Sequence, residues 1–247
     1  MTDDELLELL DDTATAVHKA VGGLDDWGLA GTRAGQYKSD LAADQAALDV
    51  LRRAPVGVLS EESGVTDGDR DVVVVVDPID GSTNAAAGLP WFATSLCAVD
   101  GDGPRAALVV NQAIGTRFAA VRGAGATVDG VRIHRPTKTD LADAFVGVSG
   151  LPPRWLGWRQ FRALGAAALD MCAVATGTLD AFIDCTPAPA HGPWDYLGGL
   201  LVCTEAGAVV ADRYGDELVC LDPDARRSPI AAATPELLAD CIKSLNK

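Results

Sequence analysis

Asp77-Pro78-Ile79-Asp80-Gly81-Ser82-Thr83-Asn84 places two carboxylates three residues apart, directly after five consecutive valines, Val72 to Val76. The valine run reads as a strand buried on both faces, and the proline and glycine read as a turn at its end. An unpaired carboxylate removed from water costs several kcal/mol, and a second one beside it adds like-charge repulsion. A cation relieves both, and an all-oxygen ligand set with a hydroxyl at hand suits Mg²⁺.

Two further carboxylates stand in similar local settings. Glu61 follows a short strand ending at Ser60, and Asp195 opens a helix after Pro193-Trp194. Strand ends and helix starts are where open α/β folds place ligand sites. Taken singly, Asp195 reads as a helix cap and Glu61-Glu62 as a charged turn; taken with the 77–84 segment, they point to one site. If a helix starts at Gly81-Ser82-Thr83, its first N–H groups can cradle a phosphate, and Gly81 lets the backbone approach closely. The alternative for Ser82 and Thr83 is capping of that helix.

These residues need a frame. Residues 2–21 read as an amphipathic helix with capping-box spacing of Thr2 and Glu5, Leu6, Leu9, Leu10, Ala14 and Val17 on one face and Gly22-Gly23 as its end. A second helix covers about 40–53, with Leu41, Leu48 and Leu51 inward and Pro55 as its stop. After the strand Val56–Ser60 and the valine strand come Phe92–Val99, Ala106–Asn111 and Thr116–Val121, an antiparallel meander, with a hairpin at Asp129-Gly130. The second half alternates: strand Ala144–Val148, helix Ala163–Thr176, strand Ala181–Asp184, helix Trp194–Glu205, strands Ala208–Ala211 and Ile230–Ala232, helix Glu236–Leu245. That order predicts layered sheets and helices, as an N-terminal half (1–140) and a C-terminal half (141–247) of one continuous unit, with a soft boundary near 136–144.

Composition narrows the class. The 247 residues suffice for a sizeable core, and about half are apolar. A net charge of −15 argues against nucleic acid as a partner. Six cysteines without a C-x-x-C pair read as buried hydrophobes of a reducing compartment. The acidic N-terminus lacks the basic start of a signal peptide, and no apolar run reaches the about 18 residues of a membrane span. The expected location is cytoplasmic, with no membrane partner.

Three blocks, Ser60-Glu61-Glu62-Ser63, the 77–84 segment and Trp194-Asp195-Tyr196-Leu197-Gly198-Gly199 running on to Thr204-Glu205-Ala206-Gly207, resemble the inositol monophosphatase family of Mg²⁺-dependent, lithium-sensitive phosphatases. Softer matches at 123–126 and 175–181 extend the resemblance over nearly the whole chain. It implies an αβαβα sandwich of the inositol monophosphatase and fructose-1,6-bisphosphatase type, with a second copy of the chain and a small phosphorylated polyol or sugar as partners. It implies Glu61, Asp77 and the Ile79 carbonyl as ligands of one Mg²⁺, and Asp77, Asp80 and Asp195 as ligands of a second. A third, weaker ion would be held by Glu61 and water. Ser82 with Glu61 would orient the attacking water, Gly81 and Ser82 would supply phosphate-binding amides, and Asp80, Asp184, Asp195 and Gly165-Ala166-Ala167 would contact the substrate.

Departures from the family pattern all fall on substrate shape. Ala166 replaces a usual Thr, Ala85 a usual aromatic, the connection 185–194 is long and the region 149–162 is short. Inositol 1-phosphate is the first expected substrate, with histidinol phosphate, fructose 1,6-bisphosphate and 3′-phosphoadenosine 5′-phosphate as rivals. A non-catalytic regulatory or interaction protein that retained the metal site is the alternative of another class. His191, four residues before Asp195, could reach a substrate but reads first as a loop-packing or exposed histidine; Trp155 and Trp158 could line a pocket but read first as core or interface packing.

Overall fold

The computed structural model describes residues 1–33, 35–134, 137–138 and 140–246. Part of the expected boundary near 136–144 therefore lies outside the described residues. Helices α1 (Asp3–Gly22) and α2 (Lys38–Leu51) precede strands β1 (Gly57–Ser60), β2 (Gly64–Thr66) and β3 (Val73–Asp80). A short helix α3 (Ser82–Ala87) leads into the meander β4 (Ala93–Asp100), β5 (Gly103–Asn111), β6 (Arg117–Val121), β7 (Gly125–Val128) and β8 (Val131–Arg132). Then come β9 (Phe145–Ser149), β10 (Gln160–Arg162), α4 (Ala167–Ala175), β11 (Ala181–Asp184), α5 (Pro193–Glu205), β12 (Val209–Asp212), β13 (Pro229–Ala232) and α6 (Pro235–Leu245).

The strands form two sheets, ordered β2-β1-β3-β4-β5-β6-β7-β8 and β10-β9-β11-β13-β12. In the first, β1 and β3 run parallel and the rest is antiparallel. Helices α1 and α2 pack on one face of the eight-stranded sheet, α4 and α5 lie between the sheets, and α6 covers the outer face of the second. This is the expected αβαβα layering.

The valine strand shows why the layers form. Val73 and Val75 enter the core between the sheets, while Val74 and Val76 enter the core beneath α1 and α2. Alternation along a strand sends neighbours to opposite faces, so a run apolar at every position needs cover on both. Helix α1 supplies one cover with its capping box in place: Thr2 Oγ1 accepts from the Glu5 N–H and Glu5 from the Thr2 N–H.

Three expectations need correcting, and one strand was not expected. Leu41 sits on the exposed side of α2, and Leu48 and Leu51 alone of the three leucines are buried. The helix expected from Ala163 starts at Ala167, because Gly165 takes a positive φ of 86° and the Leu164 carbonyl is held by Asn84 Nδ2 at 2.7 Å. The segment Gln160–Arg162, without an alternating pattern, forms an edge strand parallel to β9. Finally, β3 continues through Asp80 rather than turning after the valines.

Helix α5 passes close to its neighbours through two glycines. A Cβ on Gly198 would lie 2.8 Å from Ser95 Oγ, and one on Gly199 2.8 Å from Met171 Cβ of α4. Gly199→Val is expected to cost about 1–3 kcal/mol through overpacking, read as a lower urea midpoint with an unchanged m-value. An unchanged midpoint would mean that α4 and α5 do not press together there.

Candidate metal and phosphate site

The site begins with a bulge. On β3, Asp77 pairs with Ser95 and Asp80 with Ala93, so three steps on one strand match two on the other. In a regular strand, residues three apart face opposite ways. The extra residue re-aims the chain, so Asp77 and Asp80 share the face of Ser95 and Ala93, toward the inter-sheet space. Pro78 has no N–H to lose from the ladder, and its carbonyl accepts from Thr94 Oγ1 at 2.9 Å. Ile79 drops its side chain into the core under α1 and α2.

Each carboxylate is then held differently. Asp80, buried, accepts from the Ala167 and Ala168 N–H groups in the first turn of α4, at 3.2 and 2.7 Å. Asp195, in the first turn of α5, accepts from the Gly192 N–H at 2.7 Å. Asp77 is buried and its Oδ1 has no hydrogen-bond partner among the described residues. Oxygens of Asp77, Asp80 and Asp195 all lie within 4.8 Å of one another. Glu61 follows β1, its N–H donating to the Val76 carbonyl at 3.1 Å, so the parallel β1/β3 pairing brings it beside the bulge.

The electrostatics are those of a site built for a cation. Burial pushes Glu61 up to about 8, with repulsion from Asp195, Glu62 and Asp80 adding to it. Burial likewise drives Asp77 and Asp80 well above the usual carboxylate range; Glu61 is the strongest repelling neighbour of Asp77, and Asp195 that of Asp80. An orphaned buried oxygen in an all-oxygen cluster fits a hard divalent ion such as Mg²⁺.

Gly81 heads α3 at φ +84°, and a Cβ there would meet the Gly165 carbonyl at 2.9 Å and Ala166 Cβ at 3.1 Å. Only glycine fits such a left-handed, crowded position. Asn84 Nδ2 ties this corner to the Trp91 and Leu164 carbonyls, each at 2.7 Å.

Two cavities adjoin the cluster. A cleft of about 530 Å³ is bordered by Glu61, Glu62, Ser82, Trp194, Arg33 and Arg226. A smaller cavity of about 140 Å³ is bordered by Asp80, Asp195, Asp170, His191 and the expected segment Gly165, Ala166 and Ala167. Asp184 does not face either of them. It is fully buried, accepts from the Thr186 N–H at 3.0 Å and Oγ1 at 2.7 Å, and lies 3.8 Å from His191 Nε2.

Of the two readings of His191, an exposed position is not seen. Its Nδ1 lies 3.6 Å from Asp195 Oδ2, and its Nε2 is buried without a hydrogen-bond partner among the described residues. Burial lowers its pKa, yet Asp195, Asp184 and Asp80 more than offset this and hold it above the ordinary value. Its place four residues before Asp195 is the sequence signal for that position; its burial beside Asp184 is not written there. Asp170 escapes the sequence reading: it is the fourth residue of α4, in a run of small apolar residues that reads as core. Trp158 is buried as expected, whereas Trp155 is exposed, stacked edge-on against it at 5.7 Å.

Comparison with known proteins accords with this geometry. The model of the inositol monophosphatase family matches residues 36–247. The chain is 31% identical over 228 residues to an Archaeoglobus fulgidus protein named fructose-1,6-bisphosphatase/inositol-1-monophosphatase, covering 88% of each. It is 33% identical over 194 residues to the Nus factor SuhB of Escherichia coli K12, covering 71% of each. Among solved structures, an extragenic suppressor from Pyrococcus furiosus superposes with a TM-score of 0.83 at 27% identity, over 96% of this chain and 98% of that one.

The repulsion fixes a sign for metal-free stability. Glu61 ionises near 4.5 when unfolded and at about 8 when folded. The folded state holds its proton more tightly, so the contribution is complete below 4.5 and is lost as the pH rises through about 8. In chelator, Tm is expected to fall across that window, Asp77→Asn to raise it, and Mg²⁺ to remove the slope. A chelated protein whose Tm climbs with pH there would rule out the repulsive cluster.

Proposed function

The chain belongs to the inositol monophosphatase family, a family of phosphatases, and from that premise we propose that it is a Mg²⁺-dependent phosphomonoesterase of a small polyol or sugar phosphate, inositol 1-phosphate first among them. The observation that carries the reading is the convergence of Asp77, Asp80 and Asp195 around an oxygen, Asp77 Oδ1, that no protein group satisfies.

Asp77, Asp80 and Asp195 with the Ile79 carbonyl would hold two ions, and Glu61 would contribute to the first and to a third. Such ions, when bound, lower the pKa of water and neutralise charge on phosphoryl oxygens. Ser82 and Glu61, together on the larger cleft, orient a water for in-line attack on phosphorus. The Gly81 and Ser82 N–H groups at the head of α3 receive non-bridging oxygens, where fixed donors need no reorganisation as charge shifts. The alcohol leaves on the other side, into the smaller cavity bordered by Gly165, Ala166 and Ala167. The Ala167 N–H is committed to Asp80, so this turn serves the metal ligand and shapes the cavity at once. Asp184 acts on the substrate through His191, which stands between it and the cluster.

The direct test is phosphate release with Mg²⁺ from inositol 1-phosphate and histidinol phosphate, with Asp80→Asn as the blank. Turnover in that variant is expected to drop by about 10³-fold, close to 4 kcal/mol of barrier, with the fold retained, and Li⁺ is expected to inhibit the parent. Full activity of Asp80→Asn would sink the site assignment. The name Nus factor carried by the relative of Escherichia coli supports a second, regulatory role resting on the same fold; partner binding that survives in the metal-dead variant would favour it.

Two further parts of the reading rest on the surface and the thiols. Leu151, Trp155 and Phe161 are exposed beside the edge strand β10, which supports a homodimer; light scattering is expected to give a dimer mass, and Trp155→Glu a monomer. A parent that is already monomeric would refute it. Cys97, Cys172, Cys185, Cys220 and Cys241 carry free thiols, which supports a cytoplasmic setting, and no helix among the described residues is long and apolar enough to cross a membrane.

A further inference from the structure

The smaller cavity has a chemical character that the metal ligands alone do not account for. Asp170 borders it, is almost fully buried and is not one of the clustered ligands. Its Oδ1 accepts from Trp91 Nε1 at 2.9 Å, and the Trp91 carbonyl is in turn held by Asn84 Nδ2. No lysine or arginine borders this cavity among the described residues. The basic side chain that does border it, His191, stands between Asp195 at 3.6 Å and Asp184 at 3.8 Å.

The arginines lie elsewhere. Arg33 and Arg226 border the larger cleft with Glu61 and Ser82. Arg33 is bound to Glu62 at 2.9 Å, and Arg226 lies over the Trp194 ring at 5.2 Å. The two cavities share no bordering residue. In-line displacement sends the leaving group away from the attacking water, so a water placed by Glu61 and Ser82 directs the alcohol into the acidic cavity, away from both arginines.

We propose that Asp170 makes this cavity a charge filter, which admits neutral or cationic leaving groups and rejects those that carry a second phosphate or a carboxylate. The inference rests on the phosphatase reading above and narrows its substrate class to monoesters of small polyols or amino alcohols. A unit charge brought near a buried carboxylate is repelled far more strongly than in water, and the desolvated second phosphate finds no donor fork to repay it. The cavity is also small, about 140 Å³.

Esters graded in leaving-group charge test this. The parent enzyme with Mg²⁺ would be assayed about one pH unit above the value of about 7 to which burial pushes Asp170. The substrates are glycerol 2-phosphate, phosphoethanolamine, 3-phosphoglycerate and fructose 1,6-bisphosphate. The neutral and cationic esters are expected to exceed the two anionic ones in kcat/KM by roughly tenfold or more. Asp170→Asn, which can still accept from Trp91, is expected to narrow that gap by a similar factor. Bisphosphate cleaved as well as the neutral ester overturns the filter, as does an unchanged gap in a folded Asp170→Asn. If that variant fails to fold, the graded series in the parent decides alone. Phosphate release from none of the esters overturns the phosphatase reading, and the filter with it.

Discussion

Like charges held together out of water govern this molecule. Asp77, Asp80 and Asp195 approach within 4.8 Å, with Glu61 beside them, and burial and mutual repulsion both oppose ionisation there. A fold does not gather such groups for its own stability: a buried pair of opposite charges is at best near neutral, and a buried set of one sign is worse. The apolar frame has to hold them in place. Val73 to Val76 anchor β3 into two cores, and α4 and α5 lend their first turns as donors to Asp80 and Asp195.

Both donor turns illustrate one device. A helix N-terminus presents N–H groups that lack partners within the helix and carries partial positive charge. Here α4 spends its first N–H groups on Asp80, and α5 carries Asp195 within its own first turn. Two helices sandwiched between the sheets thus converge on one carboxylate set, and their close contact through Gly199 fixes the distance between those ends. At the far end of α5, Glu205 accepts from the Gly123 and Gly125 N–H groups of the β6–β7 turn. The helix that presents a ligand is therefore pinned at both ends to the larger sheet's surroundings.

Much of this was legible in the sequence, for stated physical reasons. Five valines can only be a doubly covered strand, and Thr2 with Glu5 marks a helix start. The blocks around Glu61, Asp77 and Asp195 carry their chemistry in residue type and spacing. What stayed hidden depends on distant contacts. Asp170 sits in a small-residue helix whose pattern is that of core, and only folding brings Trp91 and the cavity to it. His191 lies in a loop with no periodicity, and its burial between Asp184 and Asp195 is decided by the packing of β11 against α5. The bulge was read as a turn because proline and glycine signal both, and the ladder with β4 is what distinguishes them.

That bulge makes the site sensitive to length as well as to chemistry. Neither side chain at 78 or 79 is one of the clustered carboxylates, yet the count of residues between Asp77 and Asp80 has to stay fixed. Removing one residue there would restore regular alternation and leave only two steps between the carboxylates, while drawing Gly81 out of its crowded corner against Gly165 and Ala166. Adding one would turn the second carboxylate toward Val74 and Val76 beneath α1 and α2, a layer with no ion to meet it. Among descendants of this chain, the length of the segment is closed to drift by insertion or deletion.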